Sequence, residues 1–156
     1  MKGTVGDIVL INLDPIKGDE KAKTRPCLIV EDGSGTALGL LIVVPVTQSG
    51  PRKTSGVFVP IDSWKAAGLS KPSSVDSYQI RCLSDRRVRK RLGAVSDDVL
   101  DQVRARLALI LNIGPEHVEP QLRVLTIVRS SSSTESSVVP ATRRRPSGSR
   151  RTGPVP

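Results

Sequence analysis

The sequence predicts a mainly β domain of the α+β kind: a small curled antiparallel sheet or SH3-like barrel with one C-terminal helix. Three observations predict it. Short runs of Val, Ile and Leu recur between residues 5 and 83, separated by breaks containing Gly, Pro and Asp. Phe58, Trp64 and Tyr78 are the only aromatic residues, so aliphatic side chains must fill the core. Helical periodicity is clear in a single later segment that begins at Ser96. At 156 residues the chain has room for one such core plus an appendage.

Residues 5–13 read as a first strand, apolar on both faces, which Asp14-Pro15 ends because proline cannot extend the ladder. Residues 16–24 form a loop rich in Gly and Lys. A second strand runs from Cys27 to Glu31, and Asp32-Gly33-Ser34-Gly35 turns the chain into a third, Leu38 to Val46. Thr47 closes that run, placing a hydroxyl at the end of a buried strand. Residues 48–54 form a second polar loop bearing Arg52 and Lys53. Val57 to Ile61 is a short strand that Pro60 assigns to an edge. Asp62 or Ser63 caps a single helical turn over Trp64 to Ala67, with Gly68 as its stop. Ser74 to Leu83 alternates and reads as one strand. Arg86-Arg87-Val88-Arg89-Lys90-Arg91 reads most simply as a solvated turn. Ser96-Asp97-Asp98 starts a helix with Val99, Leu100, Val103, Leu107, Ile110 and Leu111 on one face, and Asn112-Ile113-Gly114-Pro115 ends it.

Two regions are expected, residues 1–116 as the folded domain and 117–156 as a basic Ser-, Arg- and Pro-rich extension. Ser130 to Ser133, Arg143 to Arg145 and several prolines offer too little apolar surface to offset ordering entropy, so disorder is expected there. Leu122 to Val128 is an apolar run that adds a strand or belongs to the tail. The formal charge of +9 is unevenly spread. Residues 1–120 hold 17 Lys and Arg against 14 Asp and Glu, whereas residues 121–156 hold 7 against 1. Most of the attraction for polyanions therefore belongs to the extension.

Cys27 and Cys82 have no metal-ligand or redox spacing, and no set of His or Cys completes a zinc site, so neither metal nor cofactor is expected. Met1-Lys2-Gly3-Thr4 leads into the first strand without a signal-peptide apolar region, and the longest apolar run is too short to span a bilayer. The expectation is a soluble cytoplasmic protein with reduced thiols and no membrane contact.

The order of motifs resembles the MazF/PemK family of toxin endoribonucleases. It comprises Gly6-Asp7, an apolar strand and Asp14-Pro15; Gly18-Asp19-Glu20; Arg25-Pro26; Pro45-Val46-Thr47; Gly68 to Ser73; Gln79-Ile80-Arg81; and a final helix. The resemblance covers roughly residues 4–112 and leaves 113–156 without a counterpart. It implies the CcdB/PemK fold, a homodimer, a single-stranded mRNA substrate and an antitoxin that covers the RNA groove with an acidic, partly disordered segment. It also implies operator DNA binding through the antitoxin complex.

The implied chemistry is metal-independent cleavage, in which the RNA's own 2′-hydroxyl attacks the adjacent phosphorus to leave 2′,3′-cyclic phosphate and 5′-hydroxyl ends. The family pattern assigns Arg25 to the scissile phosphate and Thr47 to a hydrogen bond on its oxygens. Arginine suits that task through two parallel hydrogen bonds, although its high pKa makes it a poor acid. Glu20 matches the acidic loop residue and is a base or an organiser of Arg25. Arg81 contacts RNA or pairs with Asp76 or Asp85, and its family carboxylate two positions on is Leu83 here. Gln79, Lys23, Arg52 and Lys53 are the other RNA-binding candidates. Arg86 to Arg91 offers phosphates or an acidic antitoxin segment a docking surface. Taken singly, each residue has a plainer reading: a solvated arginine, a strand-ending threonine satisfying backbone, a loop glutamate.

Two other classes compete. One is a non-catalytic toxin-fold module that binds an antitoxin, gyrase or nucleic acid; Glu20, Arg25 and Thr47 occurring together argue against it. The other is a nucleic-acid binder dominated by its basic tail, which truncation of residues 121–156 would disable.

Overall fold

The computed structural model describes residues 3–35, 38–50, 56–114 and 117. The chain divides into two units, Met1–Glu116 and His117–Pro156, and the fold below is that of the first. Its strands are β1 (Asp7–Asn12), β2 (Thr24–Glu31), β3 (Leu40–Gln48), β4 (Phe58–Ile61), β5 (Ser73–Asp76), β6 (Arg81–Ser84) and β7 (Val88–Ala94), followed by helix α1 (Asp97–Ile110). They form an antiparallel sheet in the order β4-β5-β3-β2-β1-β7, with β6 beside β5 on β3. The predicted curled sheet is present and is not closed. Pro60 lies in β4, at one edge, as its missing N–H requires.

The apolar runs of β1 to β3 supply both faces of the sheet, because successive side chains point to opposite sides. Ile8, Leu28, Val44 and Val46 join Val99, Leu100, Val103 and Leu107 of α1 in one cluster. Val9, Ile11, Cys27, Ile29, Leu41 and Val43 form a second with Leu13 and Leu83. The Ser96 side chain caps α1 by accepting from the Val99 N–H at 3.4 Å. The predicted helical face is buried through Leu107 but not to its end: Ile110 is partly covered and Leu111 is exposed. Leu111 is already the C-cap, and the backbone turns left-handed at the next residue, Asn112, with a φ of +52°.

Two elements differ from expectation. Ser74 to Leu83 is not one strand, because β5 pairs with Val46 to Gln48 while β6 pairs with Leu40 to Val43. Between them the chain makes a 3-10 turn, Ser77–Gln79. The interruption faces Val44 and Pro45, and Pro45 has no N–H to donate to a continuous ladder. The basic run is likewise no simple turn: only Asp85–Arg87 is a 3-10 turn, and Val88 onward is β7, paired with β1. Lysine and arginine on such an edge discourage pairing with another chain. Arg91 of β7 reaches the buried Asp7 carboxylate at 2.7 Å.

The curl brings the segment after β4 onto β7. Ser63 to Leu69 makes one helical turn, closed by the Leu69 N–H donating to Trp64 O at 3.0 Å. Gly68 has a φ of +76°, and a Cβ there would collide with the Leu92 carbonyl. A side chain at Gly93 would strike the Ala67 backbone. Glycine at both positions permits this close seam.

Candidate active site

A cleft of about 470 Å³ opens along the seam. Leu10, Pro26, Val46, Leu69 and Leu92 give it an apolar floor, and Arg25, Thr47, Gln48, Ser70 and Lys71 are among its polar residues. The sheet assembles these groups from distant sequence positions. Arg25 is carried by β2, Thr47 and Gln48 by β3, and Ser70 and Lys71 by the turn before β5. The cleft lining contains two cations and no carboxylate.

Arg25 lies within β2 rather than on the preceding loop, paired in register with Ile11. The strand begins at Thr24 because residues beyond the hairpin still find partners on β1, and Pro26 is accommodated opposite Leu10. The Arg25 Nε–H donates to Ala22 O at 2.8 Å, which fixes the guanidinium and directs hydrogen bonding to a ligand through its terminal nitrogens. Among the described residues no carboxylate pairs with Arg25. Its charge reaches Cys27, whose thiol is pushed up to about 12 by burial, against the opposing charges of Arg25 and Arg81. Cys27 is thus an inert core thiol, while Cys82 is exposed.

Of the other predicted site residues, Glu20 and Lys23 lie on the loop between β1 and β2, while Gln79, in the 3-10 turn, and Arg81, at the start of β6, bond to that loop. Glu20 is not in the cleft lining and its carboxylate does not organise Arg25 directly. It accepts from the Lys17 N–H at 3.2 Å and lies 3.6 Å from Arg81 Nη2. Arg81 therefore pairs with Glu20 rather than with Asp76 or Asp85; Asp76 is matched by Lys21 at 3.5 Å. Arg81 also donates to Leu13 O at 3.1 Å. Gln79 accepts from the Lys21 N–H at 3.1 Å and donates to Asp19 O at 3.4 Å, clamping the loop from both sides.

Lys23 takes part through its backbone, donating to Asp14 Oδ1 at 3.0 Å and accepting from Leu13 N–H at 3.1 Å. Arg87 completes the frame by donating to Asn12 O at 3.3 Å and Asp14 O at 2.6 Å. The network sets the path of the chain through Ala22, the residue that orients Arg25. Arg52 and Lys53 lie outside the described residues. Sequence reasoning missed Gln48, Ser70 and Lys71 as cleft residues. The Gly68 to Ser73 motif was a signal for the last two, but its closeness to Thr47 follows only from the pairing of β3 with β5.

Comparison with known proteins identifies relatives of the folded domain. In Escherichia coli K12, the endoribonuclease toxin ChpB is 29% identical over 110 residues, 68% of this chain and 91% of that protein. The crystal structure of MazF from Deinococcus radiodurans superposes with a TM-score of 0.62 at 27% identity, covering 72% of this chain and 99% of that one. A MazE–MazF crystal structure from the same organism gives 0.58 at 25% identity, covering 73% and 99%. The family model for the PemK-like, MazF-like toxin of type II toxin–antitoxin systems matches residues 4–111, from the first turn before β1 to the end of α1, and the chain belongs to that family.

Proposed function

We propose that this chain, an endoribonuclease toxin by family, cleaves single-stranded mRNA without a metal by attack of the substrate's 2′-hydroxyl on the adjacent phosphorus. The observation that carries the reading is the joint placement of Arg25 and Thr47 in a cleft lined by two cations and no carboxylate. Such a cleft attracts an anion, and its low-polarity floor strengthens each charge–dipole interaction made there.

In the step, a P–O2′ bond forms as the P–O5′ bond breaks; the 2′-hydroxyl loses a proton and the departing 5′-oxygen gains one. Arg25 binds two non-bridging oxygens through its terminal nitrogens and stabilises the added charge of the phosphorane. Thr47 Oγ1 donates a hydrogen bond to the same group. Glu20, held by Arg81 and Lys17, either takes the proton from the 2′-hydroxyl when RNA draws the loop inward or serves to fix the loop behind Arg25. Gln79 and Lys23 act through that same loop. A homodimer neutralised by an antitoxin with an acidic segment completes the reading; the likeness to the Deinococcus MazE–MazF structure supports the antitoxin.

The test is incubation of the purified chain with a long RNA in EDTA, beside Arg25→Ala and Thr47→Val. The expected result is discrete cuts with 2′,3′-cyclic phosphate and 5′-hydroxyl ends, with the rate reduced roughly 10²–10³-fold in Arg25→Ala, as for loss of one preorganised donor. Failure of the folded wild-type chain to cut RNA with or without added divalent metal would replace this reading with a binding module.

A further inference from the structure

We infer that Lys71 is a substrate-binding residue that holds the RNA phosphate next to the one bound by Arg25 and Thr47. The inference rests on the RNA-cleaving reading above and names a contact within that site. Lys71 lines the same cleft as Arg25 and Thr47. The turn that carries it is fixed to the end of β3: the Ser49 N–H donates to Pro72 O at 3.0 Å, and the hydroxyls of Ser49 and Ser74 meet at 2.7 Å. The register Thr47↔Ser74 and Gln48↔Ser73 sets Lys71 a short distance along the chain from the partner of the site threonine.

Within the turn, the Ser73 hydroxyl donates to Lys71 O at 2.8 Å, and Lys71 Nζ donates to Gln48 Oε1 at 3.4 Å. Among the described residues no carboxylate neutralises Lys71. Its ammonium is therefore held over the cleft by a neutral amide, an arrangement that leaves its charge for a ligand.

Strand order decides which phosphate it meets. Arg25 is on β2 and Lys71 precedes β5, with β3 and Thr47 between them. The chain segments that carry them are thus about two strand spacings, or about 10 Å, apart, and the Lys71 ammonium leans back to Gln48 on β3, an arrangement that suits separate phosphates of one chain better than convergence on a single group. Arginine provides the planar fork for the reacting phosphate, and lysine provides a point charge whose contact needs no fixed geometry. The cleft is thus built for a polymer running across the strand ends, and the Lys71 contact carries no base specificity.

The experiment is fluorescence-anisotropy titration of an RNA oligonucleotide with a 2′-deoxy substitution at the mapped cleavage site, at salt concentrations between about 50 and 200 mM. Lys71→Ala should reduce the magnitude of the slope of log affinity against log salt by about 0.7, the value for one phosphate contact to a single strand. Lys71→Met should match it, because it keeps the stem and loses the charge, and covers the case in which Lys71→Ala does not fold. Lys71→Arg should retain the wild-type slope. Lys65→Ala is the control: that lysine sits over the Trp64 ring at 5.3 Å and is absent from the cleft lining, so its loss should leave the slope unchanged.

A wild-type slope in a folded Lys71→Ala or Lys71→Met overturns the inference. So does an equal loss of affinity in Lys71→Ala and Gln48→Ala without a change of slope, which would reduce Lys71 to a support for Gln48. Wild-type protein that binds no RNA at any salt overturns the substrate reading itself, an outcome distinct from both.

Discussion

At the residue scale, the two cysteines and one aspartate show how burial sorts groups of similar chemistry. Cys27 is fully buried and its thiol is raised to about 12 by desolvation, so almost none of it is thiolate at neutral pH. Cys82 is exposed on β6. Ellman's reagent should therefore titrate one thiol in the native protein and a second after denaturation; rapid native titration of both would contradict the burial of Cys27. Asp7 is also buried, and burial alone would raise its carboxyl pKa. The Arg91 hydrogen bond, the backbone and hydroxyl bonds from Thr4 and the Arg91 charge outweigh that effect and hold it below its ordinary value of 3.8. The folded state thus binds this proton more weakly than the unfolded state does. The associated stability is fully present above the unfolded value and is lost as pH falls through the depressed folded one. Urea denaturation of wild type and Asp7→Asn should differ most from about pH 5 upward and converge under acid conditions. A difference that grows as pH falls would contradict the sign.

At the element scale, the seam between the turn after β4 and strand β7 does what strand pairing does elsewhere. It holds the two ends of an open sheet together and forms one wall of the cleft through Gly68, Leu69 and Leu92. Gly68→Ala would place a side chain on left-handed backbone, at roughly 1–2 kcal/mol, and drive it into the Leu92 carbonyl, adding about 1–3 kcal/mol. Loss of stability by urea denaturation should accompany loss of RNA cleavage, since the cleft wall moves with the seam. Gly50→Ala, where nothing among the described residues lies within 4 Å of the added carbon, should leave the midpoint nearly unchanged. Equal tolerance at the two positions would show that the seam is loose. The loop between β1 and β2 is a second such device. Arg81, Gln79 and Arg87 each bond to it, so two residues that read in sequence as RNA contacts, Gln79 and Arg81, also brace the loop that leads to Arg25.

At the scale of the whole molecule, charge is divided between a mildly basic domain and a strongly basic extension, residues 121–156, with 7 Lys and Arg against 1 acidic residue. The family match ends at residue 111. Removal of residues 121–156 should leave the cleavage sites and the Arg25 dependence intact while weakening nonspecific RNA retention and its salt sensitivity. Abolished cleavage by the folded truncated protein, mapped on the same RNA, would move the function into the extension. Among the described residues no helix is long and apolar enough to cross a membrane.

By itself the sequence determined most of the element types, the edge position of Pro60, the cap of α1 and its buried face through Leu107, and the family, and it singled out Arg25 and Thr47, which line one cleft. These follow from local chemistry: apolar periodicity, proline's missing donor, and an ordered set of motifs. Tertiary structure alone decided that Ser74 to Leu83 is broken, since the break answers to Pro45 on a neighbouring strand. It also decided that the Arg86 to Arg91 run becomes largely an edge strand, because β1 is there to pair with it. Glu20 turned to Arg81, and Lys71 joined the cleft, for the same reason. Those relations span 61 and 46 residues from Glu20 to Arg81 and from Arg25 to Lys71, and no local rule fixes which side chains a curled sheet will bring across its seam.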